Sequence, residues 1–170
     1  MWVVANPNFC LFHAADTRSR SELEQLLGCK YRGVLSSDDF TIYNGYCVTA
    51  QQKCLAHLRR HFLRLVQRPG WDNALIGNAF VDLIDDAFDK YRLFQASNDV
   101  ARYMDWAKQF KSKLSNALKR WIPKASATAL NLLSKLRDRY EQWWYFQGPS
   151  PGSSRQQFGG TVIAISSNQT

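Results

Sequence analysis

Two neighbouring carboxylates at the end of an apolar run are the residues best placed for chemistry. Val34 and Leu35 read as a short buried strand, followed by the polar run Ser36-Ser37-Asp38-Asp39. Strand ends in helix-flanked sheets open into the crevices where ligands bind. An Asp there is a reasonable Mg²⁺ ligand, since that ion takes hard oxygen donors and usually only one or two carboxylates. The other reading is that Asp38 caps the turn at residues 40–43, because Asp is a preferred N-cap. On spacing alone the cap is the simpler account.

A second constellation follows. Cys54, His57 and His61 are spaced three and four apart and can approach one helix face. Zinc needs about four donors in a structural site, or three plus water in a catalytic one. No fourth ligand is apparent, and Leu58 and Phe62 make this side partly core. Lys53, Arg59, Arg60, Arg64 and Arg68 form a basic run with no intervening acid. Guanidiniums along a helix can bind successive phosphates, with strongly salt-dependent affinity. The alternative is a solvated helix face. Asp82, Asp85, Asp86 and Asp89 share one polar side of a later helix and read as solvated, because no partner loop for a metal is evident.

These residues must be carried by a mixed chain. Residues 2–15 predict a β-hairpin, with Asn6-Pro7-Asn8 as its turn. Residues 19–27 predict a short helix: Ser19 and Glu22 form a capping box, Leu23, Leu26 and Leu27 share a face, and Gly28 suits the position after the helix. Residues 31–37 are then the strand ending at Asp38. A turn at Asn44-Gly45 leads to a short strand near 47–50. From Gln51 the pattern turns helical through Val66, with Leu55, Leu58, Phe62 and Leu65 as the apolar face, and ends at Pro69-Gly70. Three long helices follow, the second capped by Ser97 or Asn98 and the third following Ser126. Trp143 and Trp144 continue the last apolar stripe, which predicts packing ahead of stacking on bases. From Gly148 the chain changes to Gly, Ser, Pro and Asn around the small apolar run 161–165, predicting a poorly ordered tail.

The chain has 170 residues, 45% of them hydrophobic and 14% aromatic, enough for one domain with a proper core. A formal net charge of +8 suggests a polyanionic partner, although it also serves solubility. The charge is segregated: residues 53–68 and 108–139 are basic, and residues 72–105 are rich in Asp. That distribution favours a nucleic-acid face. Cys10, Cys29, Cys47 and Cys54 lack Cys-x-x-Cys spacing, so reduced thiols and a cytoplasmic location are expected. No apolar run approaches the length of a membrane span.

The segment Ser37-Asp38-Asp39-Phe40-Thr41-Ile42-Tyr43-Asn44, followed by Cys54-Leu55-Ala56-His57-Leu58-Arg59-Arg60, resembles the core of the insertion-sequence-66 family of DDE transposases. There the pattern is Ser/Thr-Asp-x-Tyr/Phe-x-x-Tyr, then Cys-x-x-His-x-Arg-Arg. The resemblance extends upstream through Trp2-Val-Val-Ala, Leu11-Phe-His, Thr17-Arg18-Ser19-Arg20 and Leu26-Leu27-Gly28, and fades near residues 146–151. It implies an α/β fold: a partial ribonuclease-H-like sheet core over 1–68, a mostly helical segment of the same domain over 69–147, and a divergent tail over 148–170. It also implies that Asp38, not Asp39, is the second of three catalytic carboxylates, which together hold two Mg²⁺ (or Mn²⁺) ions. The first Asp of the family, in an Asp-Glu-Thr strand, has no counterpart here. Neither does the final Glu, because residues 148–170 contain no Asp or Glu. The resemblance therefore implies a truncated or frameshifted transposase fragment, DNA-binding but catalytically incomplete. The alternative is a non-catalytic module that binds DNA or an intact transposase and regulates transposition. DNA is the implied partner in both, with an intact transposase copy or a homo-oligomer as a further one, and no membrane.

Overall fold

A computed structural model of the chain describes residues 1–6, 8–145 and 162–167. They form a mixed α/β structure in two compact units, one built from Met1–Cys54 with the described part of Pro149–Thr170, the other from Leu55–Gly148.

The first unit is a five-stranded sheet with one helix. Its elements are β1 (Trp2–Asn6), β2 (Phe9–His13), α1 (Arg20–Leu27), β3 (Lys30–Ser37), a 3₁₀ turn (Thr41–Tyr43), β4 (Cys47–Lys53) and β5 (Val162–Ser167). The order across the sheet is β2-β1-β5-β3-β4. β1 pairs antiparallel with both β2 and β5, whereas β3 pairs parallel with both β5 and β4. Trp2, Val4, Leu23, Leu35, Tyr43, Tyr46 and Ile165 make its buried core. The predicted helix cap is present: Ser19 Oγ accepts from the Glu22 amide at 3.3 Å. The Glu22 carboxylate does not return to the Ser19 amide and instead meets His13 Nε2 at 3.4 Å. Gly28 closes the helix at φ +80°, its amide donating to Glu24 O at 2.8 Å.

Two expectations need correction here. Gln51, Gln52 and Lys53 were expected to begin a helix, yet they extend β4, in parallel register with Leu35, Ser36 and Ser37 of β3. Gln and Lys are good helix formers, but a β-ladder overrides so weak a preference. The tail was expected to be poorly ordered over 148–170, yet Val162–Ser167 is a strand with a partner on each side. The rest of that stretch lies outside the described residues.

The second unit is helical: α2 (Leu55–Val66), α3 (Trp71–Ser97), α4 (Val100–Trp121), a 3₁₀ turn (Ile122–Lys124), α5 (Ala127–Asp138) and α6 (Tyr140–Trp143). The apolar stripes meet, with Leu58, Phe62, Ile76, Phe80, Ile84, Phe110, Leu114, Leu133 and Trp144 in one core, although Leu75, Tyr91 and Leu130 of the same stripes are exposed. Phe62 and Phe80 stack with ring centroids 4.7 Å apart. Close approach of α2 and α3 requires Gly77, where an added Cβ would lie 2.4 Å from Val66 Cγ2 and 3.0 Å from Phe62 O. The cap of α4 is Asp99, whose carboxylate accepts from the Arg102 amide at 3.0 Å. Asn98, one of the two expected caps, instead ends α3 at φ 55°. Ser126 precedes α5 and bonds to α3: its amide donates to Asp72 Oδ2 at 2.6 Å and its hydroxyl to Asn73 Oδ1 at 2.9 Å.

Candidate metal and nucleic-acid site

Parallel pairing of β3 with β4 and β5 brings Asp38 to the C-terminal end of β3, immediately beyond the last paired residue, Ser37. Its carboxylate is engaged twice. Oδ1 accepts from the Phe40 amide at 3.0 Å, which is the turn-capping bond that spacing alone suggested. Oδ2 lies 3.6 Å from Nη2 of Arg18. That guanidinium lies over the Phe40 ring, 3.9 Å from its centroid, and its Nε and Nη2 are buried without a hydrogen-bond acceptor. Arg18 is the residue that role-by-role reading of the sequence missed. Its only signal was its place in the Thr17-Arg18-Ser19-Arg20 stretch.

Asp39 turns elsewhere and forms an ion pair with Lys53. Lys53 is 1% exposed, at the end of β4. Its ammonium faces the Asp39 carboxylate, so it does not present its charge with the surface arginines. The strand ends are tied by the Cys54 amide, which donates to Ser37 O at 2.7 Å. A two-metal centre needs several oxygen donors converging between two ions. Asp38 and Asp39 diverge, toward Arg18 and Lys53 respectively. Among the described residues no three His, Cys, Asp or Glu side chains come together as a metal-binding group. Among the described residues, the donors at this strand end therefore do not by themselves converge as a two-metal centre would require.

In the helical unit the basic run divides. Arg59 is held by Asp85 through two hydrogen bonds, Nε to Oδ1 at 2.7 Å and Nη2 to Oδ2 at 2.9 Å. The Arg59 hydrogen bond and charge lower the pKa of Asp85, and Asp85 in turn raises that of Arg59. Arg60 and Arg64 are exposed on α2, and Arg68 is exposed just past its end. Three members of the acidic row of α3 have partners, Asp85 in Arg59, Asp86 in Trp106 Nε1 at 3.2 Å and Asp89 in Arg92, while Asp82 is exposed. His57 and His61 join no metal group among the described residues, and Nδ1 of His57 is buried without a hydrogen-bond partner. Trp143 and Trp144 are 2% and 1% exposed, with Trp144 packed on Phe110 at 4.7 Å between ring centroids. Burial gives them to the core and leaves no ring face for a base.

The described residues thus make a mixed α/β chain with an acidic strand end in one unit and exposed arginines on a helix of the other. The chain belongs to the transposase IS66 family, whose model matches residues 1–145. That membership places it in DNA transposition and implies contact with DNA. No curated protein and no solved structure matches it. Among the described residues no helix is long and apolar enough to cross a membrane.

Proposed function

We propose that this chain is a DNA-binding part of a DDE transposase with a ribonuclease-H-like sheet, in which Asp38 is the one catalytic carboxylate and metal ligand supplied by residues 1–170. Such a chain holds DNA but does not by itself cut it or transfer strands. The observation that carries the reading is the parting of the two carboxylates at the end of β3. Asp39 is committed to the buried Lys53, which leaves only Asp38 for Mg²⁺ or Mn²⁺. One carboxylate cannot position two metal ions on either side of a phosphodiester. Phosphate contact is assigned to Arg60, Arg64 and Arg68, which are exposed, with Arg59 contributing only if released from Asp85. Lys53 was expected in that set, and its burial argues for leaving it out.

The proximity of Arg18 to Asp38 favours a second reading, a non-catalytic module that occupies DNA or binds an intact transposase and so regulates transposition. A guanidinium there supplies positive charge where a metal would otherwise do so.

The test is Mg²⁺- or Mn²⁺-dependent nicking of duplex DNA by the chain and by Asp38→Ala, with DNA retention followed across a salt series. Retention that falls steeply with salt, without nicking, is expected from both proteins. Nicking that is lost in Asp38→Ala would overturn the proposal, because it would require a complete metal site within these residues. Absence of retention even at low salt would remove the DNA-binding assignment.

A further inference from the structure

The middle of the sheet is occupied by its last strand in sequence. β5 lies between β1 and β3, which do not pair with each other. It runs antiparallel to β1, from Trp2↔Ser167 to Ala5↔Ala164, and parallel to β3, from Val34↔Val162 to Ser37↔Ile165. Without it the sheet would divide into a β1–β2 hairpin and a β3–β4 pair, each with an open inner edge. Strands in a sheet are spaced about 4.8 Å apart, so β1 and β3 would face each other across about 10 Å, the width of one inserted strand. The slot is selective. Its occupant must present donors and acceptors to both edges, antiparallel on one side and parallel on the other. It must also place an apolar side chain where Ile165, 3% exposed, packs with Trp2, Val4 and Leu35.

None of the strand partners of β5 is close to it in sequence: β1 ends at Asn6 and β3 at Ser37, whereas β5 starts at Val162. It forms no hairpin with a neighbouring strand, so no local pairing ties it to its own copy. In sequence, residues 146–161 separate it from Tyr145, the last described residue of the helical unit. The same segment from a second molecule can make every hydrogen bond and the same Ile165 contact. Reciprocal exchange of an identical element closes as a symmetric dimer at little cost.

We propose that the gap between β1 and β3 is a strand-acceptor site through which two copies of this chain associate by exchanging Val162–Ser167. The intramolecular arrangement competes through the effective concentration set by the connecting residues, which falls slowly with their number. Exchange is therefore favoured when the protein folds at high concentration.

The test uses the full chain. Val4 and Ile165 are directly opposed in the antiparallel β1–β5 pair. Opposed residues there lie about 4.5–5.5 Å apart between Cα atoms, within disulfide range. Val4→Cys with Ile165→Cys, in a background with Cys10, Cys29, Cys47 and Cys54 changed to Ser, distinguishes the two pairings on a non-reducing gel. An interchain disulfide in the dimer fraction is expected. When two differently tagged versions are refolded together, about half of the cross-linked dimers should carry both tags. Disulfides that are exclusively intrachain at every concentration, or no disulfide in a folded protein, would overturn the proposal. If the cysteine variant does not fold, light scattering of the unaltered chain decides. Refolding at tenfold higher concentration should raise its dimer-to-monomer ratio, about tenfold while monomer predominates and about threefold once dimer does, and absence of dimer would overturn the proposal. Ala164→Pro removes a strand amide and should abolish the dimer, so a dimer that survives this change would equally refute strand exchange.

Discussion

If Arg60, Arg64 and Arg68 contact phosphates, replacing all three with Gln must change the salt dependence of DNA binding by a calculable amount. Each is exposed, and Arg60 and Arg64 are four residues apart on α2, a rise of about 6 Å along the helix. For duplex DNA, each neutralised phosphate contributes about 0.9 to the slope of log K against log salt, so three contacts contribute about 2.7. Between 50 and 200 mM salt, the advantage of the parent over the triple variant should then shrink by about 40-fold. The assay is fluorescence anisotropy of a labelled duplex across the salt series, with circular dichroism confirming the fold. Arg59→Gln is the internal comparison. Its guanidinium already sits on Asp85 with two hydrogen bonds, so its loss should alter the slope by much less than one full contact. An unchanged slope in the triple variant would refute the assignment of α2 to DNA. A slope change from Arg59→Gln alone that equalled that of the triple variant would refute the division drawn between free and paired arginines.

Three further perturbations test the packing that supports these surfaces. Gly77→Ala should lower stability by about 1–3 kcal/mol despite the better helix propensity of Ala, because the new methyl meets backbone atoms of α2 at 3.0 and 3.1 Å as well as the Val66 side chain; the urea midpoint measures it. Lys53→Met should cost about 3 kcal/mol by stranding Asp39, at the low end for a buried pair because Asp39 retains solvent contact, and Lys53→Met with Asp39→Leu should recover most of it in chemical denaturation. The Ser126 amide, through its hydrogen bond, holds the Asp72 carboxyl below its ordinary value of 3.8. A depressed folded-state pKa stabilises above the unfolded value and is lost as pH falls through the folded one, so stability should decline below about pH 3.8 with a component absent in Asp72→Asn, followed by denaturation midpoints across that range.

The parts of the fold set by local pattern were legible in the sequence. The α1 cap follows from Ser19 standing three residues before Glu22, and the helical core follows from apolar residues recurring at helical spacing through α2 to α5. What escaped was set by distant pairing. Gln51, Gln52 and Lys53 carry no strand signal of their own, and their conformation comes from lying beside Leu35, Ser36 and Ser37. The apolar run at 161–165 is too short and too closely flanked by Gly and Ser to announce a central strand. Its burial depends on β1 and β3, far away in the chain. The site divides along the same line. Asp38 at a strand end and the basic stripe of α2 are visible as residue types in order. The neutralisation of Lys53 by Asp39 and of Arg59 by Asp85 arises only when separate elements meet.

That neutralisation bears on what Asp38 can do. Two carboxylates adjacent in sequence would repel if both remained free at one strand end, and the structure relieves this by giving each its own cation. Asp39 receives one that is nearly inaccessible, and its charge is satisfied within the fold. Asp38 receives Arg18 at 3.6 Å, beyond hydrogen-bond length, and both partners keep some solvent contact, at 18% and 20% exposure. The looser pair is the one a metal ion can compete for, since a divalent cation close to a carboxylate outweighs a guanidinium held at that distance. A metal arriving there would still find a single carboxylate oxygen free of the Phe40 amide and a positive side chain beside it. Such a position suits a ligand that completes a site with donors from elsewhere and makes a poor site alone. Under the proposed function, the electrostatics of the β3 end and the exposed arginines of α2 fit one division of labour, in which the arginines hold DNA and Asp38 contributes one ligand to chemistry that needs more.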